Sequence, residues 1–144
     1  MDKKFNPGEI KLSIASDPKW MALVRGVISN AAARMNFKRS QIKRLVLAVD
    51  EACTNVIKHA YSGDKNKQII ICSKVFDDRL EILIRDFGQK ADPDTFRPRE
   101  LKDIKPGGLG MYFINKAMDE VKYNTSLPDG TELCLVKYKK KKQN

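Results

Sequence analysis

The sequence predicts an α+β fold, a two-layer α/β sandwich in which helices cover one face of a mixed, mainly antiparallel sheet. Three observations predict it: two amphipathic helices follow a first strand, two alternating strands come next, and a third helix precedes two more strands. Runs of antiparallel strands with helices on one face form such sandwiches. The chain has 144 residues, which suits one domain over residues 1–144, with a basic tail at about 137–144.

The chain begins with a predicted strand and helix. Residues 10–16, "IKLSIAS", alternate apolar and polar side chains, as a half-buried strand does. Ser16 or Asp17 can cap the helix that follows, over about residues 18–35. Helical spacing predicts one apolar stripe on it, made of Trp20, Leu23, Val24, Val27, Ile28 and Ala31.

A second helix is predicted over about residues 41–60, with Ser40 as its cap. Its apolar residues fall in one wedge of the helical wheel. The opposite wedge is polar and holds Asp50, Glu51, Thr54, Asn55 and Lys58. The segment "YSGDKN" then ends the helix.

The second half of the chain is predicted to hold four strands, a long loop and a helix. Residues 91–107 contain three prolines and little periodicity, which is typical of a lid or a disordered segment. The predicted elements are strands at 68–76 and 79–86 joined by "DD", a helix at about 111–119, and strands at 120–126 and 131–138 around "LPDG".

Composition excludes several classes of protein. The three cysteines lack paired spacing, which indicates reduced core residues of a cytoplasmic protein. No apolar run approaches the ~20 residues of a membrane span, and the first residues lack a signal-peptide core. The net charge of +10 includes the tail "KYKKKKQN", either a solvated end or a weak attraction for nucleic acid or an acidic partner. Because aromatic and basic residues do not interleave, direct nucleic-acid binding is not expected.

The tripeptide Asp-Phe-Gly in "IRDFGQK" raises the question of a eukaryotic-type protein kinase. Such a kinase also needs a glycine-rich loop, a Val-Ala-Ile-Lys strand and a His-Arg-Asp loop. The only histidine is His59, in "IKHAY", so the protein-kinase fold is excluded.

Two segments carry carboxylates in positions suited to a ligand. Glu51 and Asn55 are four residues apart, so their oxygens can meet one hard cation and one reacting hydroxyl, although solvated helix faces often carry such pairs. Asp86 lies on the core side of its strand, where a buried carboxylate needs a donor such as a ligand amine. Gly88 would let backbone approach that ligand closely. Alternatively, Asp86 only caps a turn.

Two further segments contain glycines at element boundaries. In "KPGGLGMYF" the glycines lead into a helix N-terminus, which can cradle phosphate or serve as a hinge. It is not a Walker loop, because no Gly-Lys-Ser/Thr follows. Lys105 reaches a phosphate or faces water with equal plausibility. In "DGTEL", Thr131 enters the last strand after an ordinary turn.

The order of these segments resembles the GHKL ATPase superfamily, which includes histidine-kinase ATP domains, gyrase B, Hsp90 and MutL. The boxes are a helical E-x-x-x-N, a strand-ending D-x-G, a loop, G-G-L-G-M opening a helix, and G-T before a last strand. "LAVDEACTNVIKHAY" and "GGLGMYFINKAMDEV" look most like bacterial anti-sigma factor serine kinases. The likeness covers roughly residues 10–138 and implies a Bergerat-type sandwich that binds ATP and Mg²⁺.

The resemblance also implies roles for single residues. Asn55 would bind Mg²⁺, Glu51 would be the general base, and Asp86, supported by Gly88, would accept a hydrogen bond from the adenine amino group. Thr131 would lie near adenine. The glycine box would contact phosphate and hinge the lid, and its candidate residues are Lys105, Gly108, Leu109, Gly110 and Met111. The family's Asp-x-Gly-x-Gly box departs here, since Lys90 replaces its second glycine.

The function implied is that of a serine/threonine kinase and anti-sigma factor. It would phosphorylate an anti-anti-sigma protein. The helix at 18–35 would be the surface for both a homodimer and a sigma factor, with Arg25 either contacting partners or merely solvated. A second hypothesis is an ATP-binding module that sequesters a partner without phosphorylating it. A third, an isolated histidine-kinase ATP domain, is less favoured because no separate helix pair bears a substrate histidine.

Overall fold

The structure, a computed structural model, describes residues 5–90 and 109–139, with the side chain of Leu109 left out. The predicted loop at 91–107 and residues 140–144 of the basic tail lie outside these ranges. The elements are β1 (Glu9–Ala15), a 3₁₀ turn (Pro18–Trp20), α1 (Met21–Ala33), α2 (Arg39–Asn55), a π-helical turn (Val56–Ala60), β2 (Gln68–Val75), β3 (Arg79–Asp86), α3 (Leu109–Ala117), β4 (Glu120–Asn124) and β5 (Glu132–Tyr138).

The five described strands form one sheet in the order β1-β2-β3-β5-β4. Each pairing between neighbours in this sheet is antiparallel, where the sequence predicted a mixed, mainly antiparallel sheet. The Asp77–Asp78 pair joins β2 to β3, as predicted, and the N–H of Phe76 donates to the carbonyl of Arg79 at 2.9 Å. The α+β class predicted from the sequence is confirmed.

The hydrophobic core lies between one face of the sheet and the helices. Alternate residues of β2, β3 and β5 face it, so that Ile71 pairs with Ile84 and Ile82 with Leu135 across neighbouring strands. Leu45 of α2 and Ile114 of α3 are fully buried in the same cluster. Because β3 alternates strictly, Asp86 at its end also faces the helices.

The first helix begins as predicted, and it buries Val24, Ile28 and Ala31 of the predicted stripe but not the whole of it. The Asp17 side chain accepts a hydrogen bond from the N–H of Lys19 at 3.0 Å and caps the 3₁₀ turn. Trp20 and Leu23, predicted in the core, are 41% and 50% exposed, while Met21 is buried. The helix is rotated so that Met21, Val24 and Ile28 are buried, because the apolar residues outnumber the positions that one face can bury.

The second helix starts two residues before the predicted boundary. Lys38 is its N-cap, and the Gln41 side chain accepts a hydrogen bond from the N–H of Lys38 at 2.9 Å. Ser40 is therefore not the cap, since it already lies in the first turn. At its other end α2 passes directly into the π-helical turn, where the N–H of Tyr61 donates to the carbonyl of Val56 at 3.0 Å.

Across the ranges 5–90 and 109–139, no helix is both long enough and apolar enough to cross a membrane.

Candidate functional site

The polar face of α2 meets the start of α3. A Cβ atom placed on Gly110 would lie 2.5 Å from Glu51 Oε2 and 3.8 Å from Asn55 Nδ2. The Glu51 carboxylate and the Asn55 amide therefore both face the backbone at the N-terminus of α3, and a side chain larger than hydrogen at Gly110 would displace the Glu51 carboxylate. The structure thus brings the Glu51–Asn55 segment of α2 to the glycine box at the start of α3, although 59 positions separate Glu51 from Gly110 in the sequence (110 − 51).

The side-chain oxygen atoms on this face suit a magnesium ion that is also bound by phosphate groups. Within the described ranges no cluster of three or more His, Cys, Asp or Glu side chains could hold a metal on its own. Mg²⁺ accepts such a site, because it takes one or two protein oxygens and completes its shell with phosphate and water. The Asn55 amide oxygen and the Glu51 carboxylate are the groups that could serve, so the residues present fit the ion.

Asp86 is a buried carboxylate at the end of β3 and is only 4% exposed. Its Oδ1 atom accepts a hydrogen bond from the N–H of Gly88 at 3.0 Å, and its own N–H donates to the carbonyl of Thr131 at 3.0 Å. Burial raises the pKa of this carboxyl, and hydrogen bonds with the backbone of Gly88 and Thr131 partly offset that rise. A carboxylate so placed is suited to accept from a ligand amine.

The loop after Asp86 lies directly against the end of the π-helical turn. A Cβ atom on Gly88 would overlap the Ala60 carbonyl and approach the ring of Tyr61 to 2.8 Å. The N–H of Gln89 donates to the same Ala60 carbonyl at 2.9 Å. Gly88 is therefore required by contact between two backbones, and this contact ties the Asp86 loop to the helix that carries Glu51 and Asn55.

Tyr61 is a part of the site that the sequence analysis did not identify. Its side chain is 7% exposed, and its hydroxyl accepts from the N–H of Phe87 at 2.8 Å while donating to the carbonyl of Gln68. The hydroxyl thus joins the start of β2 to the Asp86 loop. Its place in "KHAY", at the end of a box already singled out, was the available signal. The π-helical turn before it is of a kind often found at functional sites.

Gly130 and Thr131 close the other side of Asp86. Gly130 adopts a φ of +66°, and a Cβ atom there would overlap the Asp86 carbonyl. Thr131 is buried at 5% exposure. The turn that sequence reasoning took as ordinary is therefore built around the Asp86 backbone, and it places the Thr131 carbonyl within hydrogen-bond distance of the Asp86 N–H.

Arg85 secures this turn from the opposite face of the sheet. Its guanidinium donates to the Asp86 carbonyl, lies 3.2 Å from the Asp129 carboxylate, and lies 4.4 Å from the centre of the Phe87 ring. These contacts join the end of β3 to the β4–β5 turn. Sequence reasoning did not identify this role, because Asp129 is 44 positions from Arg85.

The remaining predicted residues differ in how far the structure describes them. Lys105 and Gly108 lie outside the described residues, as does the side chain of Leu109. Met111 is half-buried and turned towards β4, where the Tyr123 hydroxyl lies 3.0 Å from its sulfur. Lys90, at the departure from the Asp-x-Gly-x-Gly box, is exposed to solvent.

Arg25 lies on the outer side of α1 and reaches the second helix. Its Nη1 atom lies 2.8 Å from Asp50 Oδ1, next in sequence to Glu51, and its side chain is 44% exposed. The structure therefore pairs Arg25 with the acidic residue of α2 that precedes Glu51.

Comparison with known proteins agrees with this geometry. A family model described as the histidine kinase-like ATPase domain matches residues 14–137. The serine-protein kinase RsbW of Bacillus subtilis (strain 168) is 34% identical over 143 residues, which cover 94% of this chain and 88% of that protein. The serine-protein kinase RsbW of Listeria innocua is 32% identical over 143 residues, which cover 94% of this chain and 90% of that protein.

A solved structure shows the same fold. The crystal structure of the RsbU and RsbW domains of Rv1364c from Mycobacterium tuberculosis matches with a TM-score of 0.63 at 16% identity. The match covers 90% of this chain and 31% of that one. The chain described here thus belongs to the histidine kinase-like ATPase family, in the group of the RsbW serine-protein kinases, as the sequence predicted.

Proposed function

We propose that this protein is a cytoplasmic ATP-dependent serine/threonine kinase and anti-sigma factor that phosphorylates an anti-anti-sigma protein in a partner-switching system. One observation carries the proposal: the Glu51 carboxylate and the Asn55 amide face the backbone of Gly110, at the N-terminus of α3. A helix N-terminus favours phosphate, so a proton acceptor and a phosphate-binding element lie side by side.

The adenine end of ATP would bind at Asp86. Its buried carboxylate would accept a hydrogen bond from the exocyclic amino group, and Thr131 would lie beside the base. Support comes from the burial of Asp86 and from the three backbones of Ala60, Gly88 and Gly130 that pack around its loop. A preformed polar group in an otherwise apolar wall is the usual source of orientation in such sites.

The phosphate end would bind where α2 meets α3. Backbone N–H groups from Gly108 to Gly110 would donate to phosphate oxygens, with Lys105 as a further candidate. Asn55 would hold Mg²⁺, which when bound supplies charge neutralisation between the phosphate groups. The π-helical turn would join the adenine and phosphate ends of the site. Asn55, at the phosphate end, is one residue before that turn, and Ala60, which packs against the Asp86 loop, ends it.

Glu51 would act on the acceptor hydroxyl. As the serine or threonine oxygen forms its bond to the γ-phosphorus, the bond from that phosphorus to the β,γ-bridging oxygen breaks and ADP leaves. The hydroxyl proton passes to the Glu51 carboxylate, which requires the hydroxyl to lie within hydrogen-bond distance of that carboxylate. In the partner-switching scheme, phosphorylation weakens the hold of the anti-anti-sigma protein, and the kinase is then free to bind a sigma factor.

A homodimer would form on the outer side of α1. Ala22, Leu23, Gly26 and Val27 line a shallow, mainly apolar groove there together with Ile10 of the edge strand β1. Leu23 is 50% exposed, and an exposed apolar patch beside a sheet edge is typical of an interaction surface. Light scattering should then give a dimer for the wild type and a monomer for Leu23→Glu.

Transfer of labelled phosphate from ATP tests the main proposal. The purified chain is incubated with each anti-anti-sigma protein encoded in the same genome, and label on the acceptor is measured. Glu51→Gln should reduce transfer about 10²- to 10⁴-fold while leaving ATP affinity nearly unchanged. Glu81→Gln removes a comparable carboxylate from the opposite face of the sheet and should leave transfer unchanged.

Two results would contradict this proposal in different ways, and a third would change the role of one residue. A chain that binds ATP and an anti-anti-sigma protein but transfers nothing is the catalytically silent module, which the departure at Lys90 allows. A chain that binds neither ATP nor ADP by calorimetry at millimolar Mg²⁺ is not a nucleotide-dependent protein. Full transfer by Asn55→Ala would remove that residue from the metal site.

A further inference from the structure

The helical hairpin of α1 and α2 carries charge of one sign. Between Asp17 and Asp50 the sequence contains no acidic residue. Asp50 itself is paired with Arg25 at 2.8 Å and so adds little free negative charge. The basic residues of this segment are Lys19, Arg25, Arg34, Lys38, Arg39, Lys43 and Arg44. The outer surface of the hairpin is therefore strongly basic up to the point where the candidate site begins.

One row of side chains on α2 leads from this basic surface to the candidate proton acceptor. Lys43, Leu47, Glu51 and Asn55 follow one another at four-residue steps and so form a continuous ridge on the helix. Lys43 is exposed, Leu47 is 60% exposed, and Glu51 and Asn55 are half-buried. Arg44 is also exposed and lies three residues before Leu47, beside the ridge.

We propose that Lys43, Arg44 and Leu47 form a docking surface for the protein that accepts the phosphate. The surface would bind an acceptor that carries acidic side chains and one apolar side chain next to its serine or threonine. This inference rests on the proposed function, because it takes Glu51 as the group that receives the hydroxyl proton.

The position of Glu51 determines which molecule can occupy the surface. The acceptor hydroxyl must come within about 2.6–3.2 Å of the carboxylate. Leu47 lies one helical turn before Glu51, about 6 Å along the axis, and Lys43 about 6 Å further. A folded protein that presents its hydroxyl to Glu51 from solvent therefore covers Leu47 and reaches the two basic residues.

Charge argues for an acidic acceptor at the ridge, and the proposed homodimer uses a different surface. The end of the ridge farthest from Glu51 carries the cations Lys43 and Arg44, and the groove on α1 is already the surface proposed for a second copy of this chain. Like charges across an interface oppose association, whereas complementary charges raise the association rate. An exposed leucine between cations and a catalytic carboxylate gives such an acceptor an apolar anchor.

Charge reversal tests the surface. Lys43→Glu/Arg44→Glu is compared with Lys11→Glu/Lys122→Glu, which makes the same change in net charge at two exposed lysines in the strands β1 and β4. The acceptor is the anti-anti-sigma protein that the wild type phosphorylates or, failing transfer, the one it binds. The ridge variant should raise the KM for this acceptor at least about tenfold with kcat and the KM for ATP unchanged. The control variant should match the wild type.

A binding measurement makes the result independent of transfer. Fluorescence anisotropy of the labelled acceptor gives association rates at about 50 and 300 mM salt. The association rate of the ridge variant should be lower than that of the wild type, and the gap between the two rates should be largest at low salt and small at high salt. Leu47→Ala should instead accelerate dissociation several-fold at both salt concentrations, since its contribution is apolar.

Three outcomes would overturn the docking surface. In the first, the wild type phosphorylates the acceptor, but the ridge variant has the same KM and the same association rate for it as the wild type. This outcome leaves the proposed function intact. The second is a ridge variant that loses binding to a short labelled DNA duplex but keeps acceptor binding, which makes the ridge a nucleic-acid surface. The third is a wild type that neither binds nor phosphorylates any anti-anti-sigma protein, which removes both proposals.

Discussion

The Tyr61 hydroxyl accepts a hydrogen bond from the backbone N–H of Phe87 at 2.8 Å, which links the end of the π-helical turn to the loop that follows Asp86. The same hydroxyl donates to the carbonyl of Gln68 at the start of β2. Three segments therefore meet at one buried oxygen atom. We infer that Tyr61 positions the Asp86 loop, although it makes no bond to Asp86 itself in this arrangement.

Replacing this hydroxyl should weaken nucleotide binding. Tyr61→Phe keeps the ring in the core but leaves the Phe87 N–H and the Gln68 carbonyl without their partner, which costs about 1–3 kcal/mol of folding stability. We expect ATP affinity to fall about tenfold, because the loop bearing Asp86 is less firmly held. Calorimetry and thermal unfolding measure the two effects.

The matched control is Tyr138→Phe. This tyrosine is 43% exposed, and its hydroxyl bonds to Glu120 at the edge of the sheet. The control should leave both ATP affinity and melting temperature close to wild type. If Tyr61→Phe binds ATP as the wild type does, the tyrosine is a structural residue only.

Asp86 should show a conflict between stability and binding. Burial raises the pKa of this carboxyl above its ordinary value, so the folded state holds the proton more tightly than the unfolded state. The protonated form thus stabilises the fold at low pH, and that contribution is lost as pH rises through the raised pKa. Asn cannot ionise, so Asp86→Asn avoids the loss.

We therefore expect nucleotide-free Asp86→Asn to melt at a higher temperature than the wild type at pH 7, with the difference shrinking as pH approaches 4. The same variant should lose ATP binding, because the carboxylate is the proposed acceptor for the adenine amino group. Differential scanning calorimetry across this pH range and titration with ATP measure both. Unchanged ATP affinity would remove Asp86 from the adenine site.

Local sequence patterns predicted which side chains face the core and which share a helix face. They did not predict contacts between segments that are far apart in the sequence. Alternation along β3 predicted that Asp86 faces the core, and four-residue spacing predicted that Glu51 and Asn55 share one side of α2. Tyr61 and Phe87 are 26 positions apart, and no periodicity in either segment indicates that they meet. The apolar excess on α1 likewise could not tell whether Leu23 or Met21 faces the sheet, because that depends on how the helix is rotated.

Within residues 5–90 and 109–139, two glycines have a positive φ, and comparing them separates the cost of backbone strain from the cost of steric overlap. Gly63 has a φ of +82° with no heavy atom within 4 Å of a Cβ atom, whereas Gly130, at +66°, has the Asp86 carbonyl in that position. Gly63→Ala should cost about 1–2 kcal/mol through the left-handed backbone alone. Gly130→Ala should cost more, and it should also weaken ATP binding by shifting the Asp86 backbone.

Denaturant unfolding and ATP calorimetry on the two alanine variants measure this difference. Equal losses of stability in both variants would show that the overlap at Gly130 is relieved without cost. An ATP affinity that Gly130→Ala leaves unchanged would show that the turn can move without disturbing Asp86.

Gly110 provides the sharpest test of how the glycine box and the proposed catalytic carboxylate of Glu51 depend on each other. Alanine there would place Cβ 2.5 Å from Glu51 Oε2, at the free end of a flexible side chain. The fold can therefore accommodate Gly110→Ala by turning the Glu51 carboxylate away, which displaces the proposed proton acceptor by an ångström or so. A displacement of about 1 Å can reduce turnover about 10²-fold.

Gly26→Ala is the matched control, since Gly26 also lies within a helix and a Cβ atom there meets nothing within 4 Å. Because Gly26 lines the groove proposed for the homodimer, light scattering checks that this variant has the oligomeric state of the wild type. It should keep kcat and gain about 0.5–1 kcal/mol of stability from helix propensity. For Gly110→Ala we expect kcat to fall about 10²-fold with a far smaller change in ATP affinity, measured by labelled-phosphate transfer and calorimetry. Wild-type kcat in Gly110→Ala would mean that the Glu51 carboxylate does not need its observed position for transfer.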